Sequence, residues 1–407
     1  MNLKKHLNLE FAKPTKSLIL LGATGSIGTT TIKYLKRIKN TNNEIQLNAI
    51  SIHKSIDKLE SIIKEFQPEH IAITDEESYE KFIKNNNYKK INFYKGINGL
   101  VELIQNSEAD TVLTAVVGSI GVRATLEAIK KNKKICLANK ETLIVAGELI
   151  FNLLKNSKSP IIPVDSEHNA AFQLLVHQNL AHIHKLILTA SGGPLRDKTI
   201  EEIKTITKKE VMEHPTWKMG PKITVDSAGL INKGLEIIEA HYLFGLPYDK
   251  LDVKIHKDSY VHAMVQLKDG SFLLATSPPD MIFPIAHSLH YPEPLPFPLK
   301  EYEEPENWPE LKFYIVDEKK YPGFSLCIKA GKIGLSAPLI LNASNEVAVE
   351  LFLEDKIHFT EIPFIIKDAL NNIPLVEIKN LDILLKEDKK VREYIYSKYN
   401  KLLSLKI

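Results

Sequence analysis

The chain has 407 residues, enough for two or three domains with at least one large core. Apolar residues make up 44% and charged residues 25%, a globular composition that argues against a disordered chain or a fibre. Lys and Arg number 53 against 50 Asp and Glu, and a net charge of +3 is too balanced for a nucleic-acid surface or a polybasic membrane surface. The two cysteines, Cys136 and Cys327, permit one disulfide at most and exclude a multi-cysteine zinc site. Residues 1–14 hold lysines but no continuous apolar stretch, so they do not read as a secretory signal. No run approaches the ~18 apolar residues of a membrane span. A reducing, cytoplasmic location is expected.

The first half of the chain alternates short β-branched runs with helical patterns. Ser17–Leu21 reads as a strand, followed by a helix over Thr29–Lys39. Further strands are predicted at Glu44–Ile52, His70–Thr74, Asp110–Val116, Lys134–Ala138 and Pro160–Val164, with helix-length segments such as Val122–Lys131 between the later ones. This alternation predicts an α/β fold with an N-terminal, Rossmann-like parallel sheet covered on both faces. From about Ser166 the pattern mixes helices, short strands and glycine-rich turns, which predicts a central α+β domain. Prolines 292, 294, 296, 298, 305 and 309 then predict an extended, semi-rigid connector. Helical spacing returns in Ser344–Leu353 and Leu381–Leu405, so a C-terminal helical domain is expected. The divisions predicted are 1–163, 164–290, 291–322 and 323–407.

Between the first strand and the first helix lies GATGSIG (22–28), a GxxGxxG variant of the dinucleotide fingerprint. Glycines allow a tight turn and close approach to a pyrophosphate, and the helix start presents N–H groups to it. The end of the second strand reads Ser51-Ile52-His53-Lys54-Ser55. The acidic residue that would bind a ribose 2′-hydroxyl is replaced by Lys54, which favours NADP over NAD.

Two polar clusters follow. Asp165 and Glu167, at the end of an apolar strand, are i and i+2; in extended backbone both carboxylates would point one way, toward a hard divalent cation. The alternative is an acidic helix start. In Asp226–Glu236, a helix from Asn232 would put Asn232 and Glu236 on one face, giving a third carboxylate. Ser227, Asn232 and Lys233 supply hydroxyl, amide and ammonium donors suited to a phosphate, and Ser191 in a glycine-rich turn could add another. The loop from His214 to Pro221, with Trp217 and Met219, has the make-up of a lid that excludes water, although a lone Trp in a loop is more often packed than functional. His168, His177, His182 and His184 lack zinc-motif spacing and read as structural.

The chain resembles the 1-deoxy-D-xylulose 5-phosphate reductoisomerase family over nearly its whole length. The segments that carry this are GATGSIG (22–28), LANKE (137–141), VDSEHNA (164–170), LTASGGP (188–194), HPTWKMGPK (214–222), VDSAGLINKGLE (225–236), the PDM and PIAH stretches within 279–287, and NASNE (342–346). The resemblance implies a homodimer that uses NADPH and Mg²⁺, Mn²⁺ or Co²⁺ to convert 1-deoxy-D-xylulose 5-phosphate into 2-C-methyl-D-erythritol 4-phosphate, by skeletal rearrangement followed by hydride transfer. Carried over, Asp165, Glu167 and Glu236 match metal ligands. Ser191, Ser227, Asn232 and Lys233 match the phosphate pocket, with His214 beside the substrate, and Lys140 and Ser166 match substrate contacts. Thr24, Gly25, Ser26 and Ile27 match the pyrophosphate loop; Asn139, Glu141 and Gly220 match further cofactor contacts; Trp217 and Met219 match a flexible flap. Phosphonate hydroxamates of the fosmidomycin type are expected to chelate the metal. His53 and Ser55 stand where the family often has Gly and Asn, and Gly229 where Thr is common. Two rivals are an NADP-dependent semialdehyde or acyl-phosphate reductase, which would need an activated cysteine, and a non-catalytic NADP-binding regulator, which would need no metal triad.

Overall fold

The β-branched runs of the first half form seven strands: β1 Ser17–Leu21, β2 Gln46–Ile52, β3 His70–Ile73, β4 Asn92–Lys95, β5 Thr111–Thr114, β6 Lys134–Leu137 and β7 Ile161–Pro163. They lie in the order β4-β3-β2-β1-β5-β6-β7, with every neighbouring pair parallel. Leu18 to Leu21 of β1 are fully buried, as expected of a strand covered on both faces. The computed structural model describes residues 2–84, 86–217, 220–295, 297–301 and 304–404, the side chains of 400–404 excepted. Pro296 and the lid residue Met219 lie outside the described residues. Among the described residues no helix is long and apolar enough to cross a membrane.

Strand order reverses at β1, which pairs with β2 on one side and β5 on the other. The crevice beyond the carboxyl ends of the strands at such a point is where open α/β sheets bind nucleotides. The predicted strands are present, trimmed at their ends. β4 was missed because Asn92–Lys95 is an edge strand with no buried residue and no apolar run to mark it.

The chain divides into two compact units. The first comprises Met1–Thr142, Ile150–Phe172 and Asp280–Asn307; the second comprises Leu143–Leu149, Gln173–Pro279 and Trp308–Ile407. This differs from the four segments read from the sequence. Residues 280–307 return to the first unit because helix Ile282–His290 packs on helix Ser26–Ile38 and contributes Ile285, Ala286 and Leu289 to its core. The proline-rich stretch is therefore no free spacer up to residue 307. Leu295, Phe297 and Leu299 pack on the same core, and Arg37 donates to Pro298 O at 2.6 Å and to Leu299 O.

The second unit is built on a five-stranded sheet of β8 Ile183–Ala190, β9 Leu251–Ile255, β10 Val261–Leu267, β11 Phe272–Thr276 and β12 Tyr314–Ile315, in the order β11-β10-β8-β9-β12. Only the β8–β9 pair is parallel. Helices Pro322–Ile333, Ala337–Leu353, Ile362–Asn372 and Leu381–Ser404 supply the expected helical C-terminal region. Ala337–Leu353 is buried on almost all sides, which fits its mostly apolar sequence.

Candidate active site

In the first unit, the loop after β1 is held by the end of β2: Gly22 N–H donates to Ser51 Oγ at 2.9 Å, and Ala23 N–H to Ser51 O at 2.8 Å. Gly22 has φ +83°, and a Cβ there would meet Ala115 O at 2.4 Å. A Cβ on Gly28 would meet Gly22 O at 2.2 Å and Ala23 C at 2.6 Å, so the loop packs directly on the first helix turn. Helix Ser26–Ile38 starts there with Gly25 as its cap, and no side chain closes its first turn. Thr24, Gly25, Ser26 and Ile27, none of them buried, thus lie at the positive end of this helix, where an anion is favoured. The cradle fits a pyrophosphate, and hence a dinucleotide. Lys54 is 68% exposed and 3.7 Å from Asp75, a weak surface pair that leaves its ammonium exchangeable.

Asn139 and Glu141 act on the neighbouring loop. Asn139 Nδ2 donates to Val116 O at 2.9 Å, Gly118 O at 3.2 Å and Glu141 Oε2 at 2.8 Å, while its Oδ1 accepts from Thr142 N–H. Both side chains are buried, so they shape the loop after β5 rather than present themselves to solvent. A Cβ on Gly121 would fall 2.3 Å from Asn139 Oδ1, which makes that close approach a glycine requirement.

The carboxylate pair is arranged differently from the sequence expectation. β7 ends at Pro163 and a helix starts at Ser166, so Glu167 lies in its first turn and Asp165 just before it, with Asp165 O accepting from Asn169 N–H at 2.8 Å. The strand periodicity that was to align the two carboxylates does not extend to them. Lys140 Nζ reaches Asp165 Oδ2 at 2.7 Å, with both side chains mostly buried. Ser166 Oγ donates to Glu167 Oε2 at 2.5 Å. His168, read as structural, is fully buried, and one of its ring nitrogens lies within 4.8 Å of an Asp165 carboxylate oxygen.

In the second unit, β8 runs into the turn Ser191-Gly192-Gly193, whose glycines take φ +85° and +67°. A Cβ on Gly193 would meet Ser227 O at 2.4 Å. The missing side chain therefore lets the Ser191 turn lie directly against helix Pro221–Ala228. His214 bridges them: its Nε2 is 3.2 Å from both Ser191 Oγ and Ser227 Oγ. Its Nδ1 accepts backbone N–H bonds from Thr216 at 3.2 Å and Trp217 at 2.9 Å. An Nδ1 that accepts leaves the proton on Nε2, which donates toward the serines. Burial, and then the Arg196 charge, lower the His214 pKa to about 4, so the ring is neutral at pH 7. Gly220 caps the same helix and is exposed.

Asn232, Lys233 and Glu236 lie on helix Ile231–Phe244, which starts one residue before Asn232. Asn232 Nδ2 donates to Glu236 Oε1 at 2.6 Å and Lys233 Nζ to Glu236 Oε2 at 2.5 Å. Lys233 and Glu236 are 4% and 1% exposed, a buried pair whose disruption typically costs about 3–5 kcal/mol. Gly229 has ordinary contacts, its hypothetical Cβ no closer than 3.5 Å to Phe359.

Asp165, Glu167 and Glu236 offer only carboxylate oxygens, the donor chemistry a hard divalent cation takes. Ser191, Ser227 and His214 gather donors in one place, as phosphate binding needs. Cys136 and Cys327 are free and fully buried, and burial pushes both thiols up. Neither is an activated nucleophile, which removes the acyl-enzyme rival.

Comparison with known proteins agrees along the chain. A family model for 1-deoxy-D-xylulose 5-phosphate reductoisomerase matches residues 18–147, and models for C-terminal domains of that enzyme match 161–244 and 276–394. The chain belongs to the 1-deoxy-D-xylulose 5-phosphate reductoisomerase family. The reductoisomerase of Leptospira borgpetersenii is 47% identical over 89% of this chain and 92% of its own. That of Clostridium tetani is 44% identical over 95% and 100%. A reductoisomerase crystal structure in complex with NADPH, fosmidomycin and magnesium superposes with a TM-score of 0.88 at 37% identity, covering 95% of this chain and 99% of that one. The Zymomonas mobilis enzyme in complex with NADPH gives 0.86 at 33% identity, covering 94% and 99%.

The neutral state of His214 in this reductoisomerase fold has a stability consequence that His287 shares. His287 Nδ1 lies 3.0 Å from Asn169 Nδ2, and burial, with the Lys134 charge, lowers its pKa to about 4. Both histidines gain protons more readily unfolded than folded. Their contribution is complete above the unfolded pKa near 6.5 and is lost as pH falls toward 4. Denaturant melts are expected to show about 1–3 kcal/mol lost per histidine between pH 7 and pH 4. The pH dependence should flatten when His287 is replaced by Phe.

Proposed function

We propose that this chain rearranges and reduces 1-deoxy-D-xylulose 5-phosphate to 2-C-methyl-D-erythritol 4-phosphate, with NADPH as reductant and one divalent cation held by Asp165, Glu167 and Glu236. The observation that carries the reading is the pairing, on one polypeptide of this family, of a dinucleotide cradle with a built phosphate-donor cluster at Ser191, His214 and Ser227. Bound NADPH supplies a hydride and the bound cation supplies Lewis-acid polarisation of substrate oxygens.

The chain's own residues bind, orient and balance charge. Ser191 and Ser227 hydroxyls and the His214 Nε2–H hold the phosphate, and Asn232 and Lys233 complete the pocket. A neutral His214 adds a directed donor without adding charge to be buried. Lys140 and Lys233 neutralise Asp165 and Glu236 in the protein alone, so neither carboxylate is left as a lone buried anion. The same ammoniums are then beside the metal ligands, where substrate oxygens are to be oriented. Thr24 to Ile27 and Lys54 take the pyrophosphate and 2′-phosphate of NADPH. Asn139 and Glu141 act through the loop they hold, Gly220 is a further cofactor contact, and the flap that carries Trp217 covers the site. Fosmidomycin-type phosphonate hydroxamates would occupy the phosphate pocket and the cation together. A homodimer in the cytoplasm completes the reading. Exposed Phe272, Leu274 and Ile315 on the two edge strands of the second sheet give such a dimer apolar surface to cover.

The direct test follows NADPH oxidation with the keto-sugar phosphate, with and without Mn²⁺. Consumption is expected only with both; turnover that ignores the cation, or none with it, contradicts the proposal. Ser227→Ala is expected to raise KM for the sugar phosphate about tenfold while leaving kcat within about threefold, because one phosphate donor is lost and no reacting atom is touched. Lys233→Ala should affect kcat and stability too, since it strips the buried partner from Glu236.

A further inference from the structure

NASNE (342–346) lies within helix Ala337–Leu353, outside both the cofactor cradle and the phosphate cluster. Asn342, Ser344 and Asn345 are nevertheless fully buried. Asn345 Nδ2 donates to Asp226 Oδ1 at 2.8 Å, across 119 residues of sequence. Lys222 Nζ reaches Asp226 Oδ2 at 3.0 Å, and the Asp226 side chain is 1% exposed. Asp226 immediately precedes Ser227 on helix Pro221–Ala228. That helix has only eight residues, follows the His214 loop, and is too short to hold itself in place without tertiary contacts.

Among the described residues Asn345 Oδ1 has no hydrogen-bond partner although it is buried. An apolar side chain at this position would take a donor away from Asp226 Oδ1, on a carboxylate that is 1% exposed. What Asn345 adds is the bond to Asp226. We propose that Asn345 is a positioning residue. Through Asp226 it fixes the rotation of helix Pro221–Ala228, so that Ser227 Oγ stays beside His214 Nε2 and the Ser191 turn. It does not touch substrate. The inference rests on the reading of Ser227 as a phosphate donor.

The test compares Asn345→Ala, Ser227→Ala, the double variant and Asn342→Ala in the steady-state assay of the full-length enzyme with Mn²⁺. Asn342 is a control on the same helix: it is as buried, and its amide goes to Glu346 rather than to the Ser227 helix. Asn345→Ala is expected to raise KM for the sugar phosphate about three- to tenfold, no more than loss of the Ser227 hydroxyl itself, with kcat and KM for NADPH within about twofold. In the Ser227→Ala background it should add less than about twofold, because its effect passes through that hydroxyl. Asn342→Ala should leave KM unchanged whatever it does to thermal stability. If Asn345→Ala does not fold, Asn345→Ser, one atom too short to reach Asp226, carries the same expectations. Equal effects of Asn342→Ala and Asn345→Ala, a fall in kcat without a rise in KM, or full additivity with Ser227→Ala would overturn the inference. If Ser227→Ala itself leaves KM unchanged, it is the reading of the phosphate pocket that fails.

Discussion

Glu236→Gln is expected to lower kcat by about 10²–10³-fold, the scale lost when a group that stabilises transition-state charge is removed. The side chain keeps its size, and Asn232 Nδ2 can still donate to the remaining carbonyl oxygen. What disappears is one negative charge, and with it one of the three proposed metal ligands. KM for NADPH should stay within about twofold, because the cofactor cradle is built from residues 22–28 and owes nothing to this helix. Asp165→Asn should behave alike, with Lys140 losing its charged partner at 2.7 Å as Lys233 loses its own in Glu236→Gln. Near-normal turnover in Glu236→Gln, measured by NADPH oxidation at saturating substrate and Mn²⁺, would contradict the assignment.

The second large effect is expected at the glycines of the nucleotide loop, which are needed for two different reasons. Gly28→Ala would drive a methyl group to 2.2 Å from Gly22 O and 2.6 Å from Ala23 C, both backbone atoms that cannot swing aside. Loop and helix must separate, so this variant should lose more than about 100-fold in NADPH affinity and melt several degrees lower. Gly25 is exposed and a Cβ there meets nothing nearer than 3.5 Å. Gly25→Ala should therefore fold as well as the parent and lose affinity only through the crowding of the pyrophosphate. Fluorescence titration with NADPH, paired with thermal melts, separates the two cases. Equal losses of stability in both variants would show that the loop is not packed as described.

Much of this was legible in the sequence, for physical reasons that name particular residues. β1, β2 and β5 are buried on both faces, so Leu18–Leu21 and its neighbours had to be apolar runs. GATGSIG between a strand and a helix announced the cradle. The polar clusters were found by residue type and by helix spacing, and the buried pair of Lys233 and Glu236 follows the same i, i+3 logic. Other features depend on contacts between distant residues. Gly193 lets the Ser191 turn meet Ser227, Lys140 finds Asp165, and Asn345 finds Asp226; no local pattern encodes any of these. The strand spacing invoked for Asp165 and Glu167 failed because the helix starts at Ser166, with Ser and Glu in the first turn acting as an acidic helix start. The proline-rich stretch looked like a linker because proline density reports backbone stiffness, whereas its burial depends on Leu295, Phe297 and Leu299.

The central claim is that Asp165, Glu167 and Glu236 serve one divalent cation. Direct Mn²⁺ binding, followed by electron paramagnetic resonance of free Mn²⁺ during titration of the intact enzyme, tests it without reference to turnover. One site per chain is expected, weakened by at least about tenfold in Asp165→Asn, Glu167→Gln and Glu236→Gln alike. Unaltered Mn²⁺ affinity in Glu236→Gln, with a loss in the other two, would contradict the claim.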